Sequence, residues 1–360
     1  MRTRRTIFIF LGLIIIIIAL ISYQNRSNSC VPNCNGENLS NRDLRGVDFK
    51  EADLSQANLS RAILNGANLQ FADLRGANLR EARLDGADLS GANLTGADLR
   101  GASFIGVTLA GGDLSAANLM GAILSRVTLS NVKLDGAIFK QARLIGSDLS
   151  GAKLSGADLS QANLTGANLA GSQMSGSNLR EAILTGANLY QADLNGANLS
   201  QAELNSANLS QANLDGTDLS FASLVNVNFR QADLRGAYVY GADLGGAYLD
   251  QARLSRAVLI KATLQGTILT GVDLSESVLA GVNREIQPQQ MEVAHINGVS
   301  LTRANLQGAY LAGTTWRGVN LKWADLSEAV LTDTVRLNRR DQIVTTSFSG
   351  IITNTQTVLP

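Results

Sequence analysis

The sequence predicts an all-β chain, coiled so that it turns a corner every five residues. Three observations carry that expectation. Leucine returns at every fifth position, as in GADLSGANLTGADLRGA at 86–102. Alanine stands two places before most of these leucines, with Asp or Asn between them. Glycine, serine and other polar residues fill the two places left over.

A period of five suits neither common element. On a helix, residues five apart point about 140° from each other, so the leucines would face every direction. On a strand, an odd spacing flips successive leucines between faces. A chain that bends after each pentad points every leucine at one axis. The alanines then fill a narrow interior, the Asp or Asn point outward, and Gly and polar residues form corners.

The elements follow in chain order. Residues 1–5 contain Arg2, Arg4 and Arg5, and 6–22 is an uncharged stretch with isoleucine at 14–18. Its 17 residues match a short membrane span and exceed a usual signal-peptide core. No small-x-small cleavage site follows it. The reading is an uncleaved single-pass anchor with its Arg end in the cytoplasm; the alternative is a signal that is cleaved and a chain that is secreted. Either way, the remainder lies across the membrane.

Residues 23–38 read as a linker holding Cys30 and Cys34, the only cysteines. Outside the cytoplasm a nearby pair can oxidise. A small disulfide loop and two free thiols are both open readings. A metal site would need further ligands, and none sits nearby.

The main repeat occupies 39–281. Of its 49 positions spaced by five, 43 are Leu and the others are Phe49, Phe104, Phe139, Met174, Phe229 and Val239. Two places before, only Glu37 and Arg42 are charged. The clean pattern therefore starts near Val47, and 37–46 reads as a frayed or capping first coil. All three prolines lie outside 33–287, as a structure that cannot spare backbone donors requires.

The register breaks at 282–298. Pro288 and Gly298 bracket a segment that reads as a short helix at about 286–297. Pentads return over 299–335, displaced by two, with Leu301, Leu306, Leu311, Trp316, Leu321, Leu326 and Leu331. The insertion is read as a bulge from one rod; a plug between two rods is the alternative. Residues 336–360 are polar and non-repeating, a cap or a tail.

The pentads resemble the pentapeptide-repeat proteins, whose pattern is A(D/N)LXX, over about 245 residues and again at 299–333. The resemblance implies a right-handed parallel β-helix of square cross-section with four pentads per coil. That makes about 12–14 coils, of which the main repeat's 12 would stack to about 58 Å at about 4.8 Å each. Many such proteins occur in cyanobacteria, some in the thylakoid lumen or periplasm. Some relatives, the quinolone-resistance proteins, resemble DNA in shape and charge and bind gyrase.

The search for chemistry finds little. His295 is the only histidine, so neither a triad nor a histidine metal site can be assembled around it. Asp88, Asp98, Asp158 and Asp218 recur as a ladder position and read as solvated residues making turn hydrogen bonds. The glycines form no phosphate loop. No catalytic, cofactor or metal residues are assigned, and an enzyme is not expected.

What remains is surface. With four pentads per coil, residues twenty apart stack, and one face carries Ile63, Ile123 and Ile183, a trace of three-coil duplication. The exposed-position aromatics are Tyr190, Phe221, Tyr238, Tyr240 and Tyr248. Tyr238 and Tyr240 share one face, opposite Tyr190 and Tyr248, and the set forms no single patch. Residues 37–360 carry 26 basic and 30 acidic groups, which argues against a basic nucleic-acid groove. The leading expectation is a membrane-tethered, non-catalytic rod that meets a protein partner outside the cytoplasm; a homo-oligomer is compatible with it. The alternative is a DNA-mimicking binder of gyrase.

Overall fold

The structure, a computed structural model, describes residues 30–264, 267–279, 301, 304–306, 309, 315–317, 325–327 and 335–337. Each pentad builds the same local unit. The residue three after each core position returns a hydrogen bond to it, as Ala52 N does to Phe49 O (3.0 Å) and Ala67 N to Leu64 O (2.9 Å). The third residue of that turn has positive φ, 58° at Gln56 and 65° at Gly66, the φ pattern of a type II turn. Asp or Asn before the core residue secures the corner. Asn58 Oδ1, for instance, accepts the Ser60 amide (3.2 Å).

These corners stack. Parallel bridges link each outward Asp or Asn position to the one twenty residues on, from Asn33 with Asp53 to Val258 with Val278. One coil is therefore twenty residues, four pentads with four faces. The ladder is a continuous parallel β-helix: Leu59 N donates to Asn78 O (2.7 Å), and Asn78 N to Ala57 O (2.9 Å). These rungs draw on backbone donors throughout the coil, which explains the proline-free tract.

The interior is filled. Every core-register residue from Cys34 to Leu279 is at most 2% exposed, Phe49, Phe104, Phe139, Met174, Phe229 and Val239 included. From Ala52 on, the residues two places before them, mostly alanine, are buried too, and valine is the largest apolar side chain that takes this place, as at Val127 and Val227. Where Ser or Thr replaces this alanine, its hydroxyl mostly bonds a nearby core carbonyl: Ser172 Oγ donates to Leu169 O (2.8 Å), Thr267 Oγ1 to Leu264 O (2.8 Å), and Thr217 Oγ1 to Leu194 O of the preceding coil (2.9 Å). Ser177 Oγ is buried with no partner.

The start of the helix differs from expectation. The linker expected over 23–38 ends earlier, because Asn33 already pairs with Asp53 and Cys34 N donates to Asp53 O (2.7 Å). Cys34 takes a core position at 0% exposure, and a disulfide joins it to Cys30, which packs on the core. The first coil is regular rather than frayed. Glu37 is exposed and Arg42 half-buried because no described coil lies beyond them.

At the far end, the ladder passes from Asp273 to Asn305 and on to Asp325. Asn305 N donates to Val272 O (2.9 Å), and Leu274 N to Asn305 O (2.7 Å). That step spans 32 residues where every earlier one spans 20. Leu301, Leu306 and Leu326 continue the core. Strand β1 (Thr315–Arg317) pairs in parallel with β2 (Val335–Leu337), so the ladder reaches past the expected tail boundary at 336. The expected anchor at 6–22 and the expected helix at 286–297 lie outside the described residues. Among the described residues no helix is long and apolar enough to cross a membrane.

Candidate interaction surface

A filled interior leaves four faces and four corners. The faces are amide and carboxylate ladders. Asn168, Asn188, Asn208 and Asn228 each donate Nδ2 to the Asp or Asn one coil back, at 2.9 to 3.1 Å. One corner carries a matching glutamine ladder, Gln191 to Gln211 to Gln231 to Gln251, at 2.9 to 3.0 Å. In these ladders each amide nitrogen meets the next oxygen at the coil spacing, which reinforces register as well as stability.

The carboxylates are turn caps rather than catalytic pairs. Asp98 is held below the usual carboxylate range chiefly by the Arg100 side chain, whose Nε lies 2.8 Å away. The Ser90 hydroxyl does the same for Asp88, and Arg75 for Asp73. A negative oxygen that accepts several donors resists protonation. Among the described residues no group of three His, Cys, Asp or Glu could hold a metal. His295 lies outside the described residues.

Two of the five exposed-position aromatics meet each other. Phe221 and Tyr240 stand edge to face at 5.2 Å on one corner, and the Lys261 ammonium lies 5.2 Å above the Tyr240 ring. Tyr238, 54% exposed, stands on the adjoining face in the ladder from Asp218 to Val258. Tyr248 is on the opposite face with Arg230 over its ring at 4.6 Å. Tyr190 donates its hydroxyl to Gln211 Oε1 (3.0 Å). Ile63, Arg83, Ser103 and Ile123 fall in one ladder.

Further apolar side chains are exposed: Phe71 at 61%, Ile105 at 54%, Met120 at 38% and Ile138 at 37%. For Phe71 the signal was register. It stands two places after Leu69, the corner position that Phe221 occupies after Leu219. Both phenyl rings lie across a glycine of the next coil, Gly91 and Gly241, where a Cβ would fall 2.5 and 2.9 Å from ring carbons. Those two glycines are fixed by close approach as well as by positive φ.

A family profile described as pentapeptide repeats matches residues 43–81, 82–121, 122–161, 162–201, 202–238, 240–276 and 294–334. Among solved structures, HetL of the cyanobacterium Nostoc, a pentapeptide repeat protein involved in regulating heterocyst differentiation, is 27% identical. It covers 76% of this chain and 92% of its own, with a TM-score of 0.27. QnrB1, a plasmid-mediated fluoroquinolone resistance protein, is 18% identical, covering 63% and 90%, with a TM-score of 0.25. A pentapeptide repeat protein of the Arabidopsis thaliana thylakoid lumen is 30% identical over 33% of this chain and 68% of its own, with a TM-score of 0.19. No curated protein matches the sequence significantly. With the profile spanning most of the chain and a twenty-residue ladder beneath it, this chain belongs to the pentapeptide-repeat family and its right-handed β-helix solenoid fold.

Proposed function

We propose that this chain is a non-catalytic rod, tethered to a membrane by residues 6–22, whose side faces dock a protein partner outside the cytoplasm. The observation that carries this reading is the filled interior. With every core-register residue from 34 to 279 at most 2% exposed, the lumen has no room for a substrate, and recognition falls to faces and corners. The tether is supported by Arg2, Arg4 and Arg5 before the uncharged stretch. An extracytoplasmic setting also suits a Cys30–Cys34 disulfide.

Charge order weighs against DNA mimicry. A mimic needs an unbroken acidic face, yet the most acidic ladder, from Asp53 and Asp73 through Asp113, is interrupted by Lys133, Lys153 and Arg253.

Photo-crosslinking in living cells tests the docking claim, with the reactive residue placed singly at Phe71, Tyr190, Phe221 and Tyr238. The reading expects one discrete adduct from adjacent positions such as Phe221 and Tyr238, and none from positions on other faces. Equal adducts from all four positions, or none from any, would refute docking through a defined face.

A further inference from the structure

We propose that a shallow groove beside Tyr238 binds a neutral saccharide. The groove has a volume of about 390 Å³ and lies on the face that runs through Asn178, Asn198, Asp218 and Tyr238. Its floor is glycine. Gly196 and Gly216 have positive φ, and a Cβ at either would meet nothing within 4 Å. Tyr238 walls one side, 54% exposed.

Three polar groups around this groove are unspent. Asn178 Nδ2 donates to Asp158 Oδ1 (3.0 Å), in the pattern of the other amide ladders. The ladder then stops. Asn198 Oδ1 accepts the Ser200 amide (2.9 Å) and hydroxyl (2.7 Å), but its Nδ2 has no partner among the described residues. Asp218 Oδ1 accepts the Ser220 amide (2.9 Å), which leaves Oδ2 free, and the Tyr238 hydroxyl makes no bond among the described residues. The neighbouring Phe221–Tyr240 pair differs, because its rings are engaged with each other and with Lys261.

The chemistry of these groups selects the ligand. A free donor, a free acceptor and an exposed ring around a flat floor match a sugar, which offers hydroxyls that both donate and accept and an apolar ring face. A cationic side chain would suit Asp218 and Tyr238 but offers no acceptor for Asn198 Nδ2. An anionic sugar is opposed by Asp218. A volume of a few hundred cubic ångströms suits a short stretch of glycan rather than a large cofactor.

Affinity electrophoresis of the full chain in detergent tests this, through gels containing starch, xylan, mixed-linkage β-glucan or galactomannan, with hyaluronan as the anionic counterpart. The expected result is retardation by at least one neutral polysaccharide and none by hyaluronan. Tyr238→Ala should weaken it about tenfold, the scale of a lost aromatic contact with its hydroxyl bond. Gly196→Gln should weaken it too. Gln56, on the same corner, leans over the glycine twenty residues on, so glutamine at 196 would lie across Gly216. Tyr190→Ala, outside the groove, should leave retardation unchanged. Unshifted melting of Tyr238→Ala would show that the rod is intact. Free mobility in all four neutral gels, equal retardation by hyaluronan, or retardation that survives both groove variants would overturn the proposal.

Discussion

Lysine in place of Leu159 separates this architecture from any looser one. Leu159 is fully buried at mid-rod, its amide donating to Asn178 O (2.7 Å) and its carbonyl accepting from Ala162 N (3.0 Å). Truncation to alanine removes a buried isobutyl group and leaves a cavity, at about 2–5 kcal/mol. Lysine adds an unpaired charge to an apolar interior, which costs several kcal/mol more. Coils touch only their neighbours, so the damage stays local and the rod parts into two halves. Thermal melting by circular dichroism and limited proteolysis both read this. Leu159→Ala should lower a single midpoint. Leu159→Lys should split the transition and open a cleavage site between 140 and 180. Gln161→Lys, at the exposed corner of the same pentad, should do neither. A Leu159→Lys variant that melts like the parent, with no new cleavage, would refute an interior built on the leucine register.

Three further outcomes follow from single residues. Ser177→Ala should raise stability by about 1 kcal/mol in denaturant unfolding, since it removes a buried hydroxyl with no partner, whereas Ser172→Ala forfeits a hydrogen bond and should not. Gly166→Ala meets nothing within 4 Å, so its cost of about 1 kcal/mol comes from φ alone; Gly91→Ala must also displace the Phe71 ring and should cost more in the same measurement. Asp73, Asp88 and Asp98 have lowered pKa values, caused first by hydrogen bonds from Arg75, Ser90 and Arg100. Depressed carboxylates stabilise above the unfolded pKa and lose that contribution as pH falls through the folded value. The melting temperature should therefore hold down to pH of about 5 and drop below about 4.

Register made most of the fold legible. Phe49 and Phe71 are the same residue type, yet counting in fives from Leu39 places the first in the core and the second on a corner, as the structure has them. Legibility ended where geometry departs from residue type. Cys34 is a core residue, but Pro32 stands where a pentad has alanine, and cysteine itself stands where it has leucine. The left-handed corner is held by glycine at Gly66 but by Gln161 and Glu181 elsewhere, because a repeated hydrogen-bonded turn carries its modest strain. The step from Asp273 to Asn305 is a long-range pairing, and a shift of register by two does not reveal it. The groove at Asn198 is illegible for a related reason: Asn178 and Asn198 hold the same place in their pentads, between a small residue and a core leucine, and only stacking shows that one donates its amide and the other does not.

A rod held at a membrane and working beyond the cytoplasm must have its repeats across that membrane. Protease protection of a C-terminally tagged chain, in intact cells and in membranes of known orientation, reads this. A membrane-associated chain whose tag resists protease added from the cytoplasmic side is expected. A tag digested from that side would contradict the claim, and would return the repeat faces to cytoplasmic partners such as gyrase.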